Sequence, residues 1–169
     1  SLGTYYPKTH YNSSHINDTL SKDILILKNP PQNVKDEKAN LYSDRILVDI
    51  KNEIEHIDII LTVPSSDLNN INRGIDEIAK KLSTKANKEY SSGVMYRNRA
   101  KKAQHLQKLP LEEHLETLGI RKNIFYNKNI LILDDIFTTG TSIHSCAILL
   151  LAIGANNIFP YTLSKTYGK

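Results

Sequence analysis

Apolar residues along this chain follow two rhythms. Short, mostly apolar runs stand at 58–63 (DIILTV), 130–133 (ILIL) and 158–163 (IFPYTL). Each is too short for a helix and has the β-branched look of a strand buried on both faces. Between them, apolar positions recur every three or four residues. Ile46, Leu47, Ile50 and Ile54 predict a helix over 42–54, and Ile75, Ile78, Ala79 and Leu82 predict one from Arg73-Gly74 to about 82. Leu111, Leu115 and Leu118 predict a helix that starts at Pro110 and ends at Gly119. The apolar stretch 143–153 predicts another, closed by Gly154. Ile16, Leu20, Ile24 and Leu27 repeat at helical spacing behind Ser13-Ser14, although Ile26 also permits a strand over 23–27. Either element stops at Asn29-Pro30-Pro31. The charged stretch 31–40 predicts a connection, and the polar residues 1–12 predict irregular chain. Pro160 places the last strand toward a sheet edge. Strands that alternate with helices predict one α/β domain over 1–169, with a mostly parallel central sheet flanked by helices.

The candidate chemistry gathers where the strand 130–133 stops. The run 129–142 reads NILILDDIFTTGTS. Two adjacent carboxylates, Asp134 and Asp135, close the strand. A turn of small hydroxyl residues follows (Thr138, Thr139, Gly140, Thr141, Ser142), and then the helix begins. Such a loop lies at the carboxyl end of a parallel strand, where open α/β sheets bind ligands. The N–H groups at a helix start attract anions, the hydroxyls add donors, and Gly140 lets the backbone come close. That end suits a phosphate. The two carboxylates suit a vicinal diol, because hydroxyls can donate to them. Phosphate at one end and diol at the other describe a ribose 5-phosphate.

Two further stretches carry polar residues of the same kind. After the strand 58–63 come Pro64, Ser65 and Ser66, with Arg73 at the start of the next helix. An arginine at a helix start opposes the macrodipole, so it is expected to reach an anion or a neighbouring carboxylate. The stretch 83–109 carries Arg97, Arg99, Lys101 and Lys102 with almost no acid after Glu89, and Ser91-Ser92-Gly93 marks a turn in it. It reads either as a solvated face or as a mobile flap that brings cations over a bound anion.

The string of apolar strand, Asp134-Asp135, two residues and Thr138-Thr139-Gly140-Thr141 resembles the phosphoribosyl pyrophosphate (PRPP) motif of the type I phosphoribosyltransferases. Val63-Pro64 with Arg73-Gly74, and Arg97 through Gln104 and Leu106, resemble the ComF-like, competence-associated branch of that family. The zinc-ribbon segment that this branch often carries is lacking. The resemblance covers roughly 58–163. It implies that Asp134 and Asp135 hold the ribose hydroxyls, directly or through Mg²⁺ and water, and that Thr138, Thr139, Gly140, Thr141 and Ser142 hold the 5-phosphate. It implies that Pro64, Ser65 and Ser66, with Arg73, form the pyrophosphate loop. It also implies that Arg97, Arg99 and Lys101 act catalytically from a flap over the leaving group. The expected reaction displaces pyrophosphate from C1 of PRPP by a nitrogen nucleophile on an unknown small-molecule acceptor. Mg²⁺ arrives with PRPP and has no direct protein ligand. In family members that act on 6-oxopurines, an Asp stands where this chain has Thr138, which argues against a hypoxanthine-guanine enzyme. The rival reading is a non-catalytic PRPP- or nucleotide-sensing module with the same diol and phosphate contacts.

Composition narrows these readings only slightly. The chain has 169 residues, 40% hydrophobic and 24% charged, which is ordinary for a globular protein with its own core. Its net charge of +4 suits an anionic ligand and does not indicate nucleic acid. One cysteine, Cys146, excludes a disulfide within the chain and any Cys-rich zinc site, and its apolar surroundings predict a small buried side chain. No apolar run reaches membrane-spanning length, so the cytoplasm is the expected compartment. A homodimer is compatible with all of this. Among the six histidines, no pair has metal-ligand spacing.

Overall fold

The computed structural model describes residues 4–5, 19–28, 32–65, 73–98, 111–122 and 124–166. Five parallel strands form one sheet in the order β3-β2-β6-β7-β1, where β1 is Thr4–Tyr5, β2 Ile59–Thr62, β3 Glu89–Tyr90, β6 Asn129–Phe137 and β7 Asn157–Thr166. A separate antiparallel pair joins β4 (Met95–Arg97) to β5 (Leu118–Ile120). The helices are α1 (Thr19–Lys28), α2 (Gln32–Asp49), α3 (Gly74–Ala86), α4 (Leu111–Glu116) and α5 (Thr141–Ala152).

The central strands show why the apolar runs were unbroken. Side chains alternate across a strand. Leu131 and Leu133 of β6 join Ile60 of β2 in a core against α2 and α3. Ile130 and Ile132 join Ile59, Leu61 and Val63 in a second core against α5 and the β4–β5 hairpin. Both faces are covered, so no polar alternation survives. At the amino edge of the sheet, Asn129 pins the strands together. Its backbone N–H donates to Asp58, its side-chain amide donates to the His56 carbonyl, and its Oδ1 accepts from Asn156 and Asn157.

The elements depart from the expected boundaries in several places. Residues 32–40 are helical and not a connection, because Lys35 and Ala39 are buried on the inner side of α2. That helix ends at Asp49, and Ile54 opens a 3-10 turn, Ile54–His56. The helical reading of 23–27 holds: Ile24 and Leu27 are buried, and Asp23 accepts from Tyr42 (2.8 Å) and pairs with Lys38 (3.0 Å) of α2. Ser13, Ser14 and Ile16 lie outside the described residues. Thr4 and Tyr5 pair with β7, so the amino-terminal stretch is not wholly irregular. Gly119 does not end a helix. It lies inside β5, packed under the Tyr96 ring, and α4 stops at Glu116. Of the stretch expected as a flap, residues 83–98 complete α3 and form β3 and β4. Residues 99–109 lie outside the described residues. Pro160 pairs in register with Ile132, and β7 is second from the edge of the sheet, with the two-residue β1 beyond it meeting Lys165 and Thr166 among the described residues.

Candidate functional site

Parallel pairing of β2 with β6 brings their carboxyl ends to one side of the sheet. The helix after β2 packs on one face and the helix after β6 on the other. Chains that leave a sheet in opposite directions open a crevice between them, and ligands of open α/β sheets bind there. Val63, Pro64 and Ser65 form one lip. Asp134, Asp135 and the loop to α5 form the other. Ser65 and Thr139 thus share an edge, as the resemblance required.

Asp134 and Asp135 lie in the strand but do not close it as expected. β6 runs on to Phe137, paired with β7 as far as Lys165, while its pairing with β2 stops at Leu133. The acids therefore stand on a strand that has outrun its neighbour. Beyond that point the carboxylates serve backbone N–H groups. Asp135 N donates to Asp134 (3.0 Å) and Ile136 N to Asp135 (2.8 Å). Asp134 is partly buried, and its carboxyl is pushed up to about 7. Burial is the first cause and the Asp135 charge the second, while the Asp135 N–H and Arg73 act in the opposite direction. A hydroxyl donor or a cation here would relieve that repulsion.

The loop to α5 makes its turn at Gly140, which holds φ +75° at the N-cap. A Cβ there would come within 2.5 Å of the Phe137 ring. The glycine is thus required twice, by its backbone conformation and by Phe137. Thr139 and Thr141 share a hydroxyl bond of 2.9 Å. A small recess of about 30 Å³ runs from Asp134 along Thr138 to Ser142. A larger apolar cleft of about 720 Å³ lies beside the same loop, between α5 and β7, with His144 among its lining residues. His144 is exposed, whereas Cys146 is buried in the core as expected.

Arg73 reaches a carboxylate, one of the two outcomes its position allowed. It donates through Nε and Nη2 to both oxygens of Asp76 (3.0 and 2.9 Å), and through Nη2 also to Thr62 Oγ1 (3.1 Å). Its Nη1 donates to the Val63 carbonyl (2.6 Å). Asp76 accepts as well from Thr62 (2.7 Å) and Tyr90 (3.0 Å). Burial and Asp76 push the Tyr90 phenol up to about 12. Sequence reasoning missed Asp76. Its one signal is the i, i+3 spacing from Arg73 in the first turn of α3.

Arg97 corrects the flap expectation. It ends β4, is 7% exposed, and donates to Thr117 Oγ1 (2.7 Å) and, at 3.4 Å, to the Pro64 carbonyl. It belongs to the crevice as a fixed residue because the hairpin buries it. Ser66, Arg99 and Lys101 lie outside the described residues. Among the described residues, no group of three or more His, Cys, Asp or Glu side chains could hold a metal ion. A pair of carboxylates beside a helix N-terminus would fit Mg²⁺ that arrives already bound to phosphate oxygens.

No protein-family model matches the sequence, and no curated protein matches it either. Solved structures do match the fold. The allosteric regulatory enzyme of purine biosynthesis aligns at TM-score 0.53 and 17% identity over 78% of this chain and 26% of that one. The present chain thus spans about a quarter of that enzyme. Adenine phosphoribosyltransferase from Saccharomyces cerevisiae aligns at TM-score 0.50 and 20% identity, covering 77% of this chain and 68% of that one. A further adenine phosphoribosyltransferase aligns at 0.52 and 17%, covering 80% and 71%. The fold is therefore the α/β fold of the type I phosphoribosyltransferases.

Proposed function

We propose that this protein binds PRPP with Mg²⁺ and transfers its phosphoribosyl group to a nitrogen nucleophile, releasing pyrophosphate. One observation carries the reading: the Asp134-Asp135 pair, the 138–142 loop and the 63–65 lip share one crevice of a fold found in phosphoribosyltransferases. In this reading the 138–142 loop takes the 5-phosphate, and the carboxylates take the ribose hydroxyls, directly or through Mg²⁺ and water. Negative charge beside the sugar stabilises the positive charge that develops there as the C1 bond breaks. The lip after β2, with Ser65, Ser66 and the arginines behind it, faces the leaving pyrophosphate. Mg²⁺ supplies charge neutralisation on the phosphate oxygens. The likeness of Val63-Pro64, Arg73-Gly74 and 97–106 supports placing the chain in the ComF-like branch, in the cytoplasm. No helix among the described residues is long and apolar enough to cross a membrane.

The alternative, a PRPP- or nucleotide-sensing module, gains from one observation: the Arg97 guanidinium is already engaged by Thr117 and the Pro64 carbonyl. Calorimetric titration with Mg²⁺-PRPP tests the binding shared by both. The Asp134→Asn, Asp135→Asn double variant should abolish binding and stay folded, and unchanged affinity would remove the diol assignment. Pyrophosphate release across a panel of nucleobases and amines then separates transferase from sensor.

A further inference from the structure

Two arginines from different elements reach successive carbonyls of one lip. Arg73, at the start of α3, holds the Val63 carbonyl at 2.6 Å. Arg97, at the end of β4, reaches the Pro64 carbonyl at 3.4 Å. Both are themselves oriented. Arg73 is locked by Asp76 and Thr62, and Asp76 by Tyr90 of β3. Arg97 is held by Thr117 Oγ1, which in turn donates to the His114 carbonyl (2.8 Å) at the end of α4.

We propose that Arg73 and Arg97 are positioning residues, a two-point clamp that fixes the peptide planes of Val63 and Pro64 and so sets the anion-binding lip before ligand arrives. The inference rests on the transferase reading for the identity of the anion, pyrophosphate. A carbonyl that accepts from an anchored guanidinium is held in one direction. The N–H that follows the Pro64 carbonyl, that of Ser65, then points the other way, because the two groups of a peptide plane are antiparallel. The Val63 carbonyl is followed by Pro64, which has no N–H, so Arg73 fixes where the lip starts and Arg97 aims its first donor. Holding two successive planes removes the freedom that a loop would otherwise lose on binding, so affinity is gained without another ligand contact. The arrangement also gathers two cations behind the lip. Burial pushes the Arg97 guanidinium down from its ordinary value and Arg73 adds to this, while Cys146 and Asp134 work against them.

The clamp differs from a direct cation contact in what it predicts for the unliganded protein. Four donor bonds from Arg73 go to Asp76, Thr62 and Val63, so little of that guanidinium is left for a ligand. Arg97 is tied through Thr117, a residue whose hydroxyl bonds are both accounted for inside the hairpin and α4. Thr117→Val should therefore free the Arg97 guanidinium from its anchor and loosen the lip through the Pro64 carbonyl, with Arg97 itself still present.

The test uses Arg97→Lys and the milder Thr117→Val, each compared with the wild type by hydrogen–deuterium exchange and by titration. In the unliganded variants, exchange in peptides covering 59–65 should rise about tenfold, with peptides covering 129–133 unchanged. Affinity for Mg²⁺-pyrophosphate should fall about tenfold, and affinity for ribose 5-phosphate should stay within about twofold. Unchanged exchange at 59–65 in a folded variant overturns the clamp, and so does an equal loss of both ligands. If the wild type binds neither ligand, the transferase reading falls, and the exchange result alone decides the clamp.

Discussion

Asp134 is the residue on which the proposed chemistry turns, and its environment makes a testable claim about pH. Its folded carboxyl sits near 7, above the ordinary carboxylate value. The folded state therefore holds a proton that the unfolded chain has released between about pH 4 and 7. Stability should fall as pH rises through that window and stay lower above it. Asp134→Asn removes the penalty, so it should stabilise the unliganded protein on the order of 1–3 kcal/mol at pH 8 and by little at pH 4. Urea titrations at both values check this, and a gain that is equal at both would refute the burial account. Asp76 presents the opposite case. Asp76→Ala leaves the partly buried Arg73 without its main partner and should cost about 2–4 kcal/mol. Asp44 also pairs with a cation, Lys85, at 2.6 Å, but its side chain is 65% exposed. Asp44→Ala should cost under about 1 kcal/mol, and thermal melts of the two variants give the comparison.

Among the elements, the strand-to-helix passage from β6 to α5 is the most constrained. Gly140→Ala would place a Cβ in the left-handed region and against Phe137. The backbone term alone is about 1–2 kcal/mol. The collision should also displace the 138–142 loop, so ribose 5-phosphate affinity is expected to drop further than stability does. Phe137→Ala in the same background relieves the collision but not the φ cost, and partial recovery of binding would separate the two causes. The unequal lengths of β2 and β6 matter equally. Because β2 stops opposite Leu133, the crevice opens at the point where the acids begin. β7 continues beside β6 and keeps that exposed end straight.

At the scale of the whole molecule, the sheet separates two apolar cores that share its central strands. Leu131 faces one core and Ile132 the other, and both are fully buried. Leu131→Ala and Ile132→Ala should each cost about 2–5 kcal/mol. Because both cores are built on β2 and β6, either loss should lower one cooperative unfolding transition and not split it in two. Coincident fluorescence and circular-dichroism transitions in urea would show this, and separated transitions would mean that the cores unfold independently. The lips of the crevice belong to helices on opposite faces, so damage to either core should reach the site.

The sequence alone determined the parts whose physics is local. The runs at 58–63 and 130–133 had to be buried strands, because both faces of each are apolar. The helix after Gly140 followed from a hydroxyl- and glycine-rich turn ahead of an apolar stretch. The proposed phosphate and diol roles of 134–142 rest on residue types and their order. The destination of a charged side chain was not legible, because it depends on which element lies across from it. Arg97 looked like part of a solvated basic run until β5 paired with β4 and buried it beside Thr117 and Pro64. Asp76 looked like an ordinary first-turn acid until Thr62 and Tyr90 met it from two strands. The charged stretch of α2 looked like a connection because Lys35 and Lys38 masked its inner face, and only α1, with Asp23, defined that face. Local pattern decides what an element is. Long-range packing decides which polar groups lose water, and so which of them must find one another.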